Sequence, residues 1–357
     1  MFLLLFAAAL ILSLLLTPLV KIFAHKAGFH DTPSPPLKNH HKPTPLLGGV
    51  AIFFSFILSL MIYGLIANDS DNKLFLLSLA IASCGWLILG GILDDKYHLV
   101  PRHQIIWPIL AALTVIAAGI GQDNITNPLY YIGLSGDPLL HLNFWTIKFF
   151  GFELTLFTDL FTFCWLMLLI YAMKFLDGLN GLVSGITVIG SIILFFTSLA
   201  LGQFLPAIVS LIIAGAYLGF LPYNFAGKIF LGESGSTLAG FLLGIIAIIG
   251  PAKISIAFLI LGVPVLDALW VIYQRIIKDK SSPFLGDRRH LHFKLLTRGM
   301  SERKAVLMLW LISLSFGLLG LFFHGWMHGL LLVALVGLMA VLVRVTRRGQ
   351  IANKDLS

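Results

Sequence analysis

The chain has 357 residues, of which 58% are hydrophobic and 11% are charged. Soluble domains contain roughly 45–50% apolar and about 25% charged residues, so this composition excludes a soluble protein and predicts an integral membrane protein. The formal net charge is +8, but its distribution follows membrane topology, and we expect no nucleic-acid partner. Both cysteines lie in apolar segments, which argues against a disulfide framework or a cysteine-ligated metal.

Eleven apolar segments approach the length of about 20 residues that a membrane-spanning helix needs. We therefore expect an all-α bundle of about eleven transmembrane helices that forms a single domain over residues 1–357. The first segment lacks a charged leader and a cleavage site, and we interpret it as a retained span. The predicted spans are residues 2–22, 47–66, 74–93, 105–121, 158–174, 182–201, 204–222, 236–250, 254–273, 305–323 and 327–344.

The basic residues predict the orientation of this bundle. If the loop after the first span is cytoplasmic, 21 of the 24 Lys and Arg residues fall inside and three fall outside. The positive-inside rule then places the N-terminus outside and the C-terminus in the cytoplasm. The long external segment 122–157 is rich in aromatic residues, and we expect it to lie on the outer leaflet as a hairpin or an amphipathic segment.

Two acidic segments lie at the cytoplasmic ends of predicted spans. The sequence KFLDGLNGLVSG contains Asp177 and Asn180, whose spacing of three residues places them on one face if this turn is helical. The sequence GGILDDKYHLVPRHQ contains the adjacent carboxylates Asp94 and Asp95, which can bind a hard cation such as Mg²⁺ or supply a general base. Ionisable groups at such positions indicate a functional site. Solvated turns between helices are the alternative.

Two further carboxylates, Glu233 and Asp267, are candidate functional groups. The sequence LPYNFAGKIFLGESGSTLAG places Asn224 and Glu233 among glycines, and such a loop before a helix can cradle a phosphate while Glu233 offers a metal ligand. Asp267 lies inside the ninth predicted span and needs a partner there. Arg275 lies two helical turns further along the chain and could be that partner. Asp267 therefore fits either a structural ion pair or a catalytic role.

Two cytoplasmic loops carry clustered basic residues. Arginine forks suit bidentate contacts with phosphate, and a His-x-His pair can ligate a metal or donate to a pyrophosphate. The alternative is a linker whose charge only sets topology. The candidates are Lys38 and His40 in the first loop, and Arg288, Arg289, His290 and His292 in the last loop.

All these groups fall on the predicted cytoplasmic side. Carboxylates for a divalent ion, glycine turns for phosphate and cations for a second phosphate describe phosphoryl transfer. At a membrane surface this chemistry implies a soluble anionic donor and a lipid acceptor. A transporter of lipid-linked sugar is the alternative class, but transporters place charges near the bilayer midplane and often contain inverted repeats. Here the acids lie at span ends, and no internal repeat is visible.

Five segments in the order KNHHKPTPLLGG, GGILDDKYHLVPRHQ, KFLDGLNGL, NFAGKIFLGESGS and DRRHLHFKLLTRG resemble the polyprenyl-phosphate N-acetylhexosamine-1-phosphate transferases, a glycosyltransferase family 4 group. The resemblance implies transfer of a HexNAc-1-phosphate, expected to be GlcNAc-1-phosphate, from UDP-HexNAc to undecaprenyl phosphate, which yields UMP. It also implies a role in O-antigen or other cell-envelope glycan synthesis, and the cofactor Mg²⁺, with Mn²⁺ as an alternative. The implied location is the bacterial inner membrane, where the protein contacts membrane lipid and its active site faces the cytoplasm. The resemblance also implies a homodimer. Phospho-N-acetylmuramoyl-pentapeptide transferase is the alternative within this enzyme class.

The resemblance also implies roles for individual residues. The implied catalytic residues are Asp94, Asp95 and Asp177, and the implied metal ligands are Glu233, Asp95 and Asp177. The resemblance implies substrate binding by Lys38, His40, His290 and His292. The residue types add Asn180, Asn224, Arg288 and Arg289 as further substrate-binding candidates.

This chain departs from the family pattern in several places. Asn180 stands where a second aspartate is common, and Glu233 replaces the usual aspartate. Phe293 stands where many members have a histidine, and Leu37 replaces a frequent arginine. These departures leave the donor sugar open, and both direct attack by the lipid phosphate and a covalent phospho-enzyme route fit the residues.

Overall fold

The computed structural model describes residues 1–32, 43–67, 73–127, 130, 135–149, 152–249, 251–280 and 289–354, and these residues are mostly helical. The first five helices are α1 (Phe2–Lys26), α2 (Gly48–Ile66), α3 (Lys73–Tyr97), α4 (Pro101–Gln104) and α5 (Ile106–Ala117). The next six are α6 (Leu156–Leu176), α7 (Leu182–Ala200), α8 (Phe204–Phe225), α9 (Gly232–Ile248), α10 (Pro251–Ile260) and α11 (Gly262–Tyr273). A π-helix (Gln274–Lys278), α12 (Leu291–Thr297), α13 (Glu302–Phe322) and α14 (Trp326–Lys354) complete the described chain.

The predicted count of eleven spans is not supported. Within the described residues, eight helices are long and apolar enough to cross a membrane, or nine if the pair α10–α11, bent by 76°, forms one span. Helix α5 has only 12 residues and α9 has 17. Of the α9 residues, 15 are buried by the rest of the protein, so their apolar character serves internal packing. The chain is a membrane protein, and the orientation of its termini stays a prediction.

The predicted external segment contains two antiparallel strand pairs. Strand β3 (Asn124–Thr126) pairs with β4 (Leu139–His141), and β5 (Thr146–Phe149) pairs with β6 (Phe152–Thr155). The strands confirm the expected hairpin, and its place on the outer leaflet stays a prediction.

Helix α9 is the central element of the described bundle. It packs against α6, α3, α2 and α7. A Cβ atom at Gly240 would overlap the backbone of Leu169 in α6, so this glycine lets the two helices approach closely. Burial on all sides fixes the N-terminus of α9, where Glu233 lies.

Short backbone contacts bring the polar ends of several helices together. Strand β1 (His30–Asp31) pairs with β2 (Thr44–Pro45), and the Phe230 N–H donates to the Pro45 carbonyl at 2.8 Å. The Gly49 N–H in turn donates to the Leu231 carbonyl at 2.9 Å. A Cβ atom at Gly91 of α3 would overlap the backbone of Ser234 in α9. These contacts place the end of α3 beside the beginning of α9.

Candidate active site

One cavity of about 420 Å³ gathers the four predicted cytoplasmic carboxylates. Asp94 and Asp95 come from the last turns of α3, Asp177 follows α6, and Glu233 begins α9. These four carboxylates line one space together with Asp31 and Glu302, and we call it the acid cavity. The sequence predicted this convergence from the positions of the acids at span ends.

One carboxylate oxygen of Asp95 accepts a hydrogen bond, and the other has no hydrogen-bond partner among the described residues. Its Oδ1 accepts a hydrogen bond from the Glu233 N–H at 3.2 Å. Its Oδ2 is buried, with no hydrogen-bond partner in the described part of the chain. Gly232 has φ +75° and lies so close that a Cβ atom would crowd this oxygen. An unpaired buried carboxylate oxygen is costly, and a cation is its natural partner.

A chain of polar contacts joins the two sides of the acid cavity. Gln104 Nε2 donates to Asp94 Oδ1 at 2.8 Å, and Lys174 Nζ donates to Gln104 Oε1 at 2.9 Å. Lys174 Nζ also forms an ion pair with Glu233 Oε1 at 2.5 Å. Asp94 and Glu233 are thus connected through one amide and one ammonium group.

Asp177 faces the acid cavity just beyond the end of α6. The residue is exposed to the cavity, but the surrounding protein limits hydration of its carboxyl group. This desolvation, together with the negative charge of Glu233, raises the pKa of Asp177 to about 7. A positive ion in the cavity would stabilise the ionised form.

These carboxylates fit a magnesium site that is completed by substrate. In the described residues, no three acidic, histidine or cysteine side chains converge to hold an ion by themselves. Mg²⁺ is usually held by one or two carboxylates, with waters and substrate phosphates as its other ligands. The unpaired Asp95 Oδ2 and the hard oxygens of Glu233 and Asp177 match that mode of binding.

The two predicted asparagines differ in what they contact. Both asparagines line the cavity, and the Asn180 backbone N–H donates to Glu302 Oε1 at 2.9 Å. Asn224 Oδ1 accepts from the Gly181 N–H at 2.9 Å, and its Nδ2 donates to the Ile229 carbonyl at 3.2 Å. Asn224 is buried and holds the turn at the start of α7 in place.

The predicted histidine pair lies behind the cavity wall. His290 Nδ1 is 2.8 Å from Asp267 Oδ2, and the Leu291 N–H donates to Asp267 Oδ1 at 2.8 Å. His292 is fully buried, and neither ring nitrogen has a hydrogen-bond partner among the described residues. Burial lowers the pKa of His292 to about 3, so this ring is neutral at neutral pH. Phe293, next in the chain, does line the cavity.

The remaining predicted site residues are four basic side chains. Lys38, His40 and Arg288 lie outside the described residues. Arg289 is exposed and forms an ion pair with Asp279.

Three functional candidates were missed by the sequence analysis. Lys174 and Gln104 stand inside the acidic segments, but only the fold shows that they touch. Glu302 begins α13 and lies 122 positions from Asn180, so spacing along the chain gave no signal for it.

Comparison with known proteins identifies the family. Residues 76–251 match the model of glycosyl transferase family 4. A Bacillus subtilis protein named probable undecaprenyl-phosphate N-acetylglucosaminyl 1-phosphate transferase is 30% identical over 355 residues, which cover 96% of this chain and 91% of that protein. A Thermotoga maritima protein named undecaprenyl-phosphate alpha-N-acetylglucosaminyl 1-phosphate transferase is 31% identical over 313 residues, 87% of each chain. A Shouchella clausii phospho-N-acetylmuramoyl-pentapeptide-transferase is 30% identical over 349 residues, 90% of this chain and 96% of that protein. This chain belongs to glycosyl transferase family 4.

Proposed function

We propose that the protein transfers GlcNAc-1-phosphate from UDP-GlcNAc to undecaprenyl phosphate, forming a lipid pyrophosphate sugar and UMP. The observation that carries this proposal is the acid cavity with its unpaired Asp95 Oδ2. Relatives with both donor types resemble the chain, and two of those described above carry the N-acetylglucosaminyl name. The muramoyl-pentapeptide donor is therefore a necessary arm of any test.

The reaction joins one phosphate oxygen of the lipid to the β-phosphorus of the donor. The bond between that phosphorus and the oxygen bridging to the α-phosphate breaks, and UMP leaves with that oxygen. Mg²⁺, when bound by Asp95, Glu233 and Asp177, supplies positive charge that stabilises the phosphate oxygens. In this proposal Asp94, whose Oδ1 accepts a hydrogen bond from Gln104, takes a proton from the lipid phosphate.

We further propose that the cavity opens to the cytoplasmic face of a bacterial inner membrane. The proposal rests on the predicted assignment of 21 of the 24 Lys and Arg residues to that side and on the solubility of a UDP-sugar. A homodimer, and a place in O-antigen or another cell-envelope glycan route, stay predictions from the resemblance.

A product assay tests the proposal. Full-length protein in detergent receives undecaprenyl phosphate, Mg²⁺ and one donor at a time, including several UDP-HexNAc sugars and the UDP-muramoyl-pentapeptide. We expect UMP release and a lipid of matching mass with UDP-GlcNAc, and loss of both on adding EDTA. Turnover with only the muramoyl-pentapeptide donor, or silence across the panel, would contradict the proposal.

A further inference from the structure

Lys174 is a positive charge built into the acid cavity. It lies in the last turn of α6, and its side chain is only 15% exposed. Its ammonium contacts Glu233 Oε1 at 2.5 Å and Gln104 Oε1 at 2.9 Å, and it lies 5.6 Å from the centre of the Tyr171 ring. All three contacts keep the ammonium among the carboxylates and away from bulk water.

This ammonium holds acids from two different helices. It binds Glu233 of α9 directly and reaches Asp94 of α3 through the Gln104 amide. Carboxylates that gather in a recess repel one another unless a cation is present. Lys174 therefore supplies a counter-charge to these acids from within the chain itself.

The same contact sets up a competition. A Mg²⁺ ligand lies about 2.0–2.1 Å from its ion. An ion on Glu233 Oε1 would thus come within about 4–5 Å of an ammonium that stays bound to the same oxygen, and like charges at that distance repel strongly. The two cations therefore compete for this oxygen.

We propose that Lys174 is a tethered cation that occupies Glu233 until a divalent ion displaces it, and that it thereby sets the affinity of the acid cavity for that ion. The displaced ammonium is then free to contact a phosphate of the donor. Lys174 is a positioning residue in the first state. The inference rests on the proposed function in one respect, the use of a divalent ion at Glu233.

The test measures binding of Mn²⁺ alone, with neither donor nor lipid present. Full-length wild-type protein and Lys174→Met are titrated in detergent, and free Mn²⁺ is followed by electron paramagnetic resonance. We expect Lys174→Met to bind Mn²⁺ about tenfold more tightly, because a competing charge-assisted hydrogen bond is lost. Lys174→Arg keeps the charge and should stay within about threefold of wild type.

A matched control separates direct competition from a general loss of charge. Lys96 is next to Asp95 in the chain, but its ammonium donates to the Ala27 carbonyl at 2.7 Å and lies over the Phe29 ring. Lys96→Met removes the same charge near the same acids, so it should tighten Mn²⁺ binding much less than Lys174→Met does.

Thermal unfolding gives a second readout. Without divalent ion, Lys174→Met should unfold at a lower temperature than wild type, and saturating Mn²⁺ should remove that difference. If the Met variant cannot be purified, Lys174→Gln provides the same loss of charge.

The outcomes are distinguishable. Equal Mn²⁺ affinity in wild type and Lys174→Met, or equal tightening in Lys96→Met, would overturn the inference and leave the proposed function standing. A wild-type protein that transfers GlcNAc-1-phosphate yet binds no Mn²⁺ would overturn the inference and the metal assignment together.

Discussion

The acid cavity and the Asp267–His290 pair lie in the same protein, contain the same kinds of ionisable groups and are built in opposite ways. In the acid cavity, carboxylates face open space, and Asp95 keeps one unpaired oxygen. At the pair, both Asp267 oxygens are bonded, and Asp267 and His290 are buried. The first arrangement leaves bonding capacity for a substrate or ion. In the second arrangement, the hydrogen bonds of Asp267 hold the start of α12 in place.

The comparison separates chemistry from positioning. A sequence shows only that an aspartate or a histidine is present near a span end, and both regions therefore looked like candidate sites. What distinguishes them is whether a polar atom that lines a cavity still lacks a partner once the chain has folded. Removing a group from the open region should affect turnover, and removing one from the closed region should affect stability.

The largest expected effect is at Glu233. Glu233→Ala should reduce transfer by at least about 10²–10³-fold, because it removes a ligand for charge that develops during the reaction. UMP release by purified protein measures this loss. Protein yield and membrane insertion should stay normal, since Glu233 is partly exposed to the cavity. Near-normal turnover would contradict the assignment of Glu233 as a metal ligand.

Asp267 should show the opposite pattern. Asp267→Ala leaves His290 and the Leu291 N–H without their buried partner and should destabilise the protein by about 3 kcal/mol. Asp267→Asn retains an acceptor for the Leu291 N–H and should cost less. Thermal unfolding in detergent measures both variants. If Asp267→Ala unfolds at the wild-type temperature, the pair is not the anchor that we describe.

The burial of His292 predicts that the stability of the protein depends on pH. Burial lowers its pKa in the folded protein to about 3 from an ordinary value of 6.5, so the unfolded chain binds the extra proton between those values. The free energy of unfolding therefore loses nothing to this group above pH 6.5. As the pH falls from 6.5 toward 3, it decreases by about 1.4 kcal/mol per pH unit. His292→Phe should flatten the fall in unfolding temperature between pH 7 and pH 5. An identical pH profile in this variant would refute the assignment.

The smallest expected effect is in the segment that we predict to be external. Asn143 lies in an exposed turn between β4 and β5. Asn143→Lys should leave donor affinity and turnover within about twofold of wild type, because an exposed substitution remote from special features changes little. Steady-state kinetics with varied UDP-GlcNAc measures both. Loss of donor binding would mean that the site is not confined to the opposite side.

The sequence predicted the gathering of the acids because topology alone brings span ends on one side together. It could not predict that Lys174 meets Glu233, since that contact depends on how α6 and α9 pack. The count of spans failed for a related reason. Hydropathy reports that the α9 residues avoid water, but not whether lipid or protein surrounds them.

Asn224 and the histidines show the same limit. Their residue types suit phosphate binding, and the sequence therefore predicted substrate contacts for all of them. The fold places Asn224 at the cavity wall with three protein partners and encloses His292 completely. The substrate contacts of these residues stay predictions. Which polar groups remain available is a property of packing, which residue type and spacing do not carry.

The most direct test of the central claim compares wild-type protein with Asp95→Asn in one assay of UMP release and lipid product mass. Both receive UDP-GlcNAc, undecaprenyl phosphate and saturating Mg²⁺, and both are first shown to unfold at similar temperatures. We predict turnover by the wild type and none by Asp95→Asn, because the amide removes the charge at the unpaired Oδ2. Similar turnover by the two proteins would contradict the acid cavity as the site of transfer.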